Sequence, residues 1–422
     1  MNQFFYQITR KASELINSDD YRKRNITEQT AFTRNRKLTF PVMIVLLLNF
    51  LTRTMQIELD DFFANVLDAG TDSVTKQAFF KARKNILPDA FKELFLMTRD
   101  MVLNKNKIKR HKGYRILAID GSELRLNKTK ENKDIFLPRN HSPENKTNAE
   151  ISLLYDVISH YVIDAQIGSI GVCEREYAKK NLAYFSSICD DKDIVIFDRG
   201  YPSRKLIATL HDKEMKYLMR VQRSFYSLID ESTQEDFYLT MEYQKKSYKV
   251  RVVKLELPTG ETETLLTNLG RKSFKKSEFM SLYFKRWPIE TKYNTLKNKL
   301  EIENFSGRTL ISVQQDFYAT MYLSNLVAIT KIMSDEEIKK QAKDKELKYK
   351  YQTNESRLIS QLKDEMILCL LIEDPTKRSE VMERIIQAAA RNKSPIRSER
   401  SFDRKDPEKR RRSIRRYRKK SL

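Results

Sequence analysis

Between Tyr114 and Val221 the chain leaves helical spacing for short apolar runs, and the order of those runs limits the folds open to it. Tyr114 to Asp120 is an apolar run that closes on a carboxylate and is followed by Gly121 and Ser122. Its lack of alternation predicts a strand covered on both faces. Ile151 to Val157 and Tyr161 to Ile167 predict a hairpin around Ser159 and His160. Glu174 to Ser187 has helical spacing. Asp193 to Asp198 is a second buried run closing on a carboxylate, with Arg199 and Gly200 behind it. Ser203 to Lys213 then predicts a helix and Lys216 to Val221 a strand.

Three strands, helix, strand, helix, strand is the order of an α/β ribonuclease-H-like core. Such a core has a mixed five-stranded sheet with flanking helices, an antiparallel trio being continued by parallel strands. From Gln222 to Ser273 the alternation predicts short antiparallel strands at Phe237 to Met241, Ser247 to Leu257 and Glu263 to Thr267, two of them joined by a turn over Pro258, Thr259 and Gly260. This is read as a β-rich insertion. The expected organisation is a helical N-terminal domain over 1–108, a catalytic core over 109–221 and 274–340, the insertion over 222–273, and a helical C-terminal region over 341–422.

Within the N-terminal part, Phe40 to Arg53 and Ala78 to Leu103 have the clearest helical spacing. Basic clusters lie between them, at Arg22 to Arg24 and Arg34 to Lys37. A DNA-binding domain and a helical bundle with a solvated basic surface both fit. Asp316 to Met333 predicts an apolar helix, followed by a lysine-rich joint up to Glu355 and a helical stretch from Leu358 to Ala390. The tail carries Arg410 to Lys420; over 391–422, fifteen Lys or Arg face four acids. Such a tail neutralises phosphates without reading sequence.

At 422 residues the chain is too long for one ordinary core. Its 80 Lys and Arg against 57 Asp and Glu give a formal charge of +23. Solubility alone does not call for a basic excess, so a polyanionic partner is expected. No apolar run reaches the ~20 residues of a membrane span, so no membrane is expected. Three cysteines, Cys173, Cys189 and Cys369, have neither metal-ligand spacing nor an even count, which fits a reducing cytosol. His111, His141, His160 and His211 are not spaced as zinc ligands.

Asp120 and Asp198 close two strands, where open α/β sheets place their sites. On adjacent strands two such carboxylates repel unless a divalent cation lies between them. Hard oxygen ligands select Mg²⁺ or Mn²⁺. Glu290 completes a three-carboxylate set able to hold two ions about 4 Å apart. Asp156 and Asp164 in the hairpin and Asp193 at the start of its strand rank below these three.

Tyr283, Arg286, Glu290 and Lys297 stand three, four and seven residues apart. On one helix they return to nearly one face. A salt-bridged helix face and a carboxylate working beside gripped phosphates both fit. Pro288 lies between Arg286 and Glu290 and predicts a turn with a new helix beginning near it. Trp287, the single tryptophan, is either a stacking platform for an unpaired base or a core residue.

Taken with Asp120-Gly121, Phe197 to Tyr201 and Glu301 to Gly307, this Tyr-Arg-Glu-Lys pattern resembles that of the insertion-sequence-4 family of DDE transposases. The resemblance runs from about residue 113 to 420. It implies Asp120, Asp198 and Glu290 as catalytic metal ligands with two Mg²⁺ or Mn²⁺ ions. It also implies phosphate contacts from Tyr283, Arg286 and Lys297. Arg199 and Trp287 are expected as further DNA contacts. The implied activity is cut-and-paste transposition through a hairpin intermediate, by a homodimer acting on terminal inverted repeats and target DNA, in the bacterial cytoplasm at the nucleoid. A domesticated nuclease and a non-catalytic DNA-binding protein are the alternatives.

Overall fold

The structure, a computed structural model, describes residues 2–34, 36–49, 53–67, 72–104, 109–137, 147–222, 225–257, 260–343, 346–362, 365, 367–372 and 374–397. His141, the turn residues Pro258 and Thr259, and the basic tail Arg410 to Lys420 lie outside the described residues. The chain forms two compact units, Val102–Asn294 and the combination of Met1–Met101 with Thr295–Leu422.

The first of these is built on one sheet of eight strands: β1 Arg115–Arg125, β2 Asn148–Asp156, β3 Tyr161–Ser169, β4 Asp193–Phe197, β5 Lys216–Val221, β6 Asp236–Tyr243, β7 Lys246–Glu256 and β8 Thr262–Thr267. They lie in the order β3-β2-β1-β4-β5-β8-β7-β6. β1 and β2 pair antiparallel, as do β2 and β3, while β4 is parallel to both β1 and β5. An antiparallel trio continued by a parallel pair is the arrangement anticipated for the first five strands. Ile116 to Ile119 and Ile194 to Phe197 are buried at every position, because both faces of the central strands are covered. The helix Glu174–Phe185 packs on β1, β2 and β3, and the helix Arg204–Asp212 on β5 and β6.

Two expectations need correction. The sheet has eight strands, not five. β8 pairs antiparallel with β5 through Leu218↔Thr267 to Val221↔Thr264, so the insertion continues the core sheet instead of forming a separate body. An unpaired β5 edge would leave a row of N–H and C=O groups open, and β8 satisfies them. The second correction concerns β1, which does not stop at Asp120 but runs on to Arg125, pairing Asp120 with Leu153 and Gly121 with Ser152.

The other unit is helical. Phe40–Leu47 is shorter than its apolar pattern predicts, and the Ala78 to Leu103 stretch divides into Lys76–Arg83 and Asp89–Asn104. Pro88 lies between the two and cannot extend the first. The apolar helix is longer than expected, Leu310–Gln341. The C-terminal stretch breaks into Glu355–Gln361, Ile367–Leu371 and Pro375–Arg391, the last opening on a proline at its first turn. Tyr351–Thr353 (β9) and Lys393–Pro395 (β10) pair antiparallel.

Residues 295–340 group with the N-terminal helices, not with the core as the sequence suggests. Arg83, 2% exposed, is the tie. Its guanidinium donates to Gln315 Oε1 at 2.6 Å, to Ser306 Oγ at 2.6 Å and to Asp316 Oδ1 at 2.7 Å. Beside this knot, Gly307 faces Ser312, whose hydroxyl accepts from Thr309 N at 2.9 Å in the capping box of the long helix. A Cβ on Gly307 would collide with Cβ and Oγ of Ser312.

Candidate active site

Asp120 and Asp198 meet because β1 and β4 are adjacent and parallel, with Ile119 level with Phe197. The next residue on each chain is the carboxylate, and neighbouring strands are about 4.8 Å apart. The break anticipated at Pro288 is present. A helix Phe279–Phe284 carries Tyr283, a turn carries Arg286 and Trp287, and a second helix, Pro288–Asn298, carries Glu290 in its first turn. Tyr283 and Glu290 therefore do not share a face of one helix. Proline suits the first helical position, where its missing N–H would have had no partner.

The turn folds the signature back onto the strands. Tyr283 donates its hydroxyl to Asp198 Oδ1 at 3.0 Å. Arg286 reaches Glu290 Oε1 with Nη2 at 2.7 Å and Asp120 Oδ2 with Nη1 at 3.6 Å. Asp120, Asp198 and Glu290 are thus gathered about one guanidinium and one phenol. Arg286 is only 7% exposed, and burial lowers its basicity. Its hydrogen bond to Glu290 and the nearby Tyr283, Asp198 and Asp120 outweigh that and raise it overall. Burial raises the Tyr283 phenol, and Asp198 raises it further.

Asp120 is pushed up to about 7, mainly by burial, with Glu174 and Asp198 adding to the rise and Arg286 and the Gly121 N–H opposing it. This is a carboxylate short of positive charge. The folded protein then holds a proton that the unfolded chain has released near the ordinary value of 3.8. Stability is full below that value and falls as pH rises through the window up to about 7, by at most ~4 kcal/mol at 1.36 kcal/mol per unit. Thermal melts in EDTA should show Asp120→Asn gaining on the wild type between pH 5 and pH 8. Equal slopes in the two proteins would contradict the assignment.

Several neighbours were not singled out in the sequence. Tyr293, one turn after Glu290, donates to the Asp120 carbonyl at 2.6 Å. Oε1 of Glu150 on β2 and of Glu174 flank Gly121 at 2.7 and 2.9 Å from where a Cβ would stand. The spacing of Tyr293 from Glu290 offered a clue, while Glu150 and Glu174 could be placed only by strand pairing. Asp193 forms a buried ion pair with Arg115, Nε to Oδ1 at 2.6 Å. Asp156 accepts the N–H groups of Ile158 and Ser159 at 3.0 and 2.8 Å, as a turn acceptor does. Asp164 Oδ2 accepts from Gln166 at 2.8 Å. Trp287 is 42% exposed and Phe284 beside it 49%, so Trp287 is not a core residue. Arg199 follows Asp198 on the surface, and Lys297 lies on the same helix as Glu290.

Among the described residues no three His, Cys, Asp or Glu side chains stand close enough to hold a metal ion as they are placed. The guanidinium of Arg286 lies between Asp120 and Glu290 instead. The donor set still suits a hard divalent cation, being carboxylate oxygen throughout. The guanidinium marks where this site needs positive charge. Among the described residues no helix is long and apolar enough to cross a membrane.

The family described as Transposase DDE domain matches residues 111–326, just over half of the chain. The chain is 23% identical over 283 residues to "Transposase InsG for insertion sequence element IS4" of Escherichia coli (strain K12), the match covering 63% of each protein. Among solved structures it is similar to the piggyBac transposase in a synaptic complex with hairpin DNA, at 13% identity and a TM-score of 0.47, over 94% of this chain and 87% of that one. With Asp120, Asp198 and Glu290 all inside the matched span, the chain belongs to the DDE transposase family, of the insertion-sequence-4 type.

Proposed function

We propose that this protein is the transposase of an insertion sequence, cutting and joining DNA by metal-dependent phosphodiester chemistry on a ribonuclease-H-like core. The observation that carries the proposal is the gathering of Asp120, Asp198 and Glu290 about Arg286 and Tyr283. Asp120, Asp198 and Glu290 would hold two Mg²⁺ or Mn²⁺ ions, replacing the guanidinium as counter-charge. Bound there, the ions supply activation of a water or 3′-hydroxyl and stabilisation of the leaving oxygen.

The chain's own residues do the rest. Arg286, Tyr283, Lys297 and Arg199 grip phosphates near the scissile bond, the arginines with a planar fork suited to phosphate oxygens. Trp287 offers an exposed aromatic face to an unpaired base. Tyr293 holds the Asp120 backbone in place. The +23 charge attracts DNA and makes binding salt-sensitive. The substrate is the element's terminal inverted repeats and then target DNA, bound by a homodimer, and the path runs through a hairpin at the freed 3′ end.

The test uses labelled DNA carrying the element's end and flanking sequence. With Mg²⁺ the protein should nick the junction and then produce a hairpin, seen on a denaturing gel as a strand of double length, and EDTA should stop both. Binding without metal-dependent cutting would favour a DNA-binding protein. Nicking without a hairpin would remove that intermediate and leave the cleavage.

A further inference from the structure

Arg286 occupies a place that the proposed reaction needs for something else. Its Nη2 is 2.7 Å from Glu290 and its Nη1 3.6 Å from Asp120, and its side chain is 9% exposed. Its buried Nε has no hydrogen-bond partner among the described residues. An arginine placed only to steady a carboxylate would have this donor matched, because a buried unmatched N–H is costly. The fit to protein acceptors is incomplete, and the remaining donor suits a phosphate oxygen, which accepts several N–H groups at once. Arg286 itself lies in the turn between two helices.

From this geometry we infer that Arg286 is an internal counter-ion that keeps divalent metal out of the site until DNA arrives. This rests on the reading of Asp120, Asp198 and Glu290 as metal ligands. Without DNA the guanidinium bridges two of the three acids, and a cation approaching them meets a fixed positive charge. A scissile phosphate offers Arg286 a better partner, and its withdrawal frees Asp120 and Glu290. Metal and DNA then favour each other by a common factor, as linkage requires. The consequence is protective: a free transposase would carry less loaded metal and would cut less at random.

The test is Mn²⁺ binding, read by electron paramagnetic resonance on the full chain without DNA. Arg286→Gln, and Arg286→Ala as a second variant, should bind Mn²⁺ roughly tenfold more tightly than wild type or better, within the usual range of coupling factors. Binding equal to or weaker than wild type in folded variants overturns the inference. Should neither variant fold, the ¹⁵Nε resonance of Arg286 in the wild type decides. It should stay fixed with Mg²⁺ alone and move when end DNA is added, and no movement with DNA overturns the inference. Adding Asp198→Asn separates the two readings. Mn²⁺ binding gained by Arg286→Gln and kept in the double variant refutes the carboxylate site itself. Loss of DNA-dependent Mn²⁺ binding in Asp198→Asn alone, with Arg286→Gln unchanged, leaves the site standing and removes the lock.

Discussion

Asp198→Asn and Glu290→Gln should each lower strand cleavage of end-containing DNA by about a thousandfold or more, since a loss of ~4 kcal/mol of transition-state stabilisation corresponds to that factor. Both substitutions keep the size of the side chain and remove only a charged oxygen donor. On the proposed reading the phosphates would be held by the cations around the site and not by these acids, so DNA binding measured in EDTA should be retained. Tyr283→Phe is the contrasting case. It removes one 3.0 Å hydrogen bond to Asp198, worth about 1 kcal/mol, and should cost roughly fivefold. Measuring the three variants against wild type by single-turnover cleavage separates a metal ligand from a hydrogen-bonding neighbour. Comparable losses in all three would mean that the acids act through architecture alone.

The second large effect is on stability. Asp193→Ala should destabilise the sheet-bearing unit by ~3–5 kcal/mol, because it leaves the charge of Arg115 buried without its partner. The two side chains are 4% and 2% exposed, and Asp193 also accepts the N–H of Asp190 at 2.9 Å. The guanidinium also lies 5.4 Å from the centre of the Phe185 ring. Replacing both partners, Arg115→Met with Asp193→Leu, should recover most of the loss, since an apolar pair of similar volume is commonly tolerated there. Trp287 is the single tryptophan and lies in this unit, so its fluorescence in urea follows this transition. A single variant as stable as wild type would show that the pair contributes nothing.

The same pair shows what the sequence could and could not disclose. Arg115 and Asp193 open β1 and β4 and are level with each other, so opposite charges at the heads of two apolar runs were a legible sign of parallel neighbours. The order of the first five strands was also legible, since each run has its own length and boundary. Pro288 announced the break in the signature, because its effect is local. Gly121 and Ser122 misled in the other direction. They stand where the apolar run closes, yet pairing with β2 carries β1 past them, and pairing is a property of two distant segments. The joining of β8 to β5 was hidden for the same reason. So was the reach of Arg286 to Asp120, which i,i+4 spacing with Glu290 suggested only by half.

Gly307 closes the segment Glu301 to Gly307, one of those that carry the resemblance to the transposases, which invites a chemical role for it. Its surroundings suggest another. The space a methyl group would need is filled by Ser312 at the head of the long apolar helix. A saturation scan read out by transposition would therefore score position 307 almost as intolerant as position 198. Only a parallel abundance measurement would separate the two, with the glycine variants failing to accumulate and the aspartate variants accumulating as inert protein.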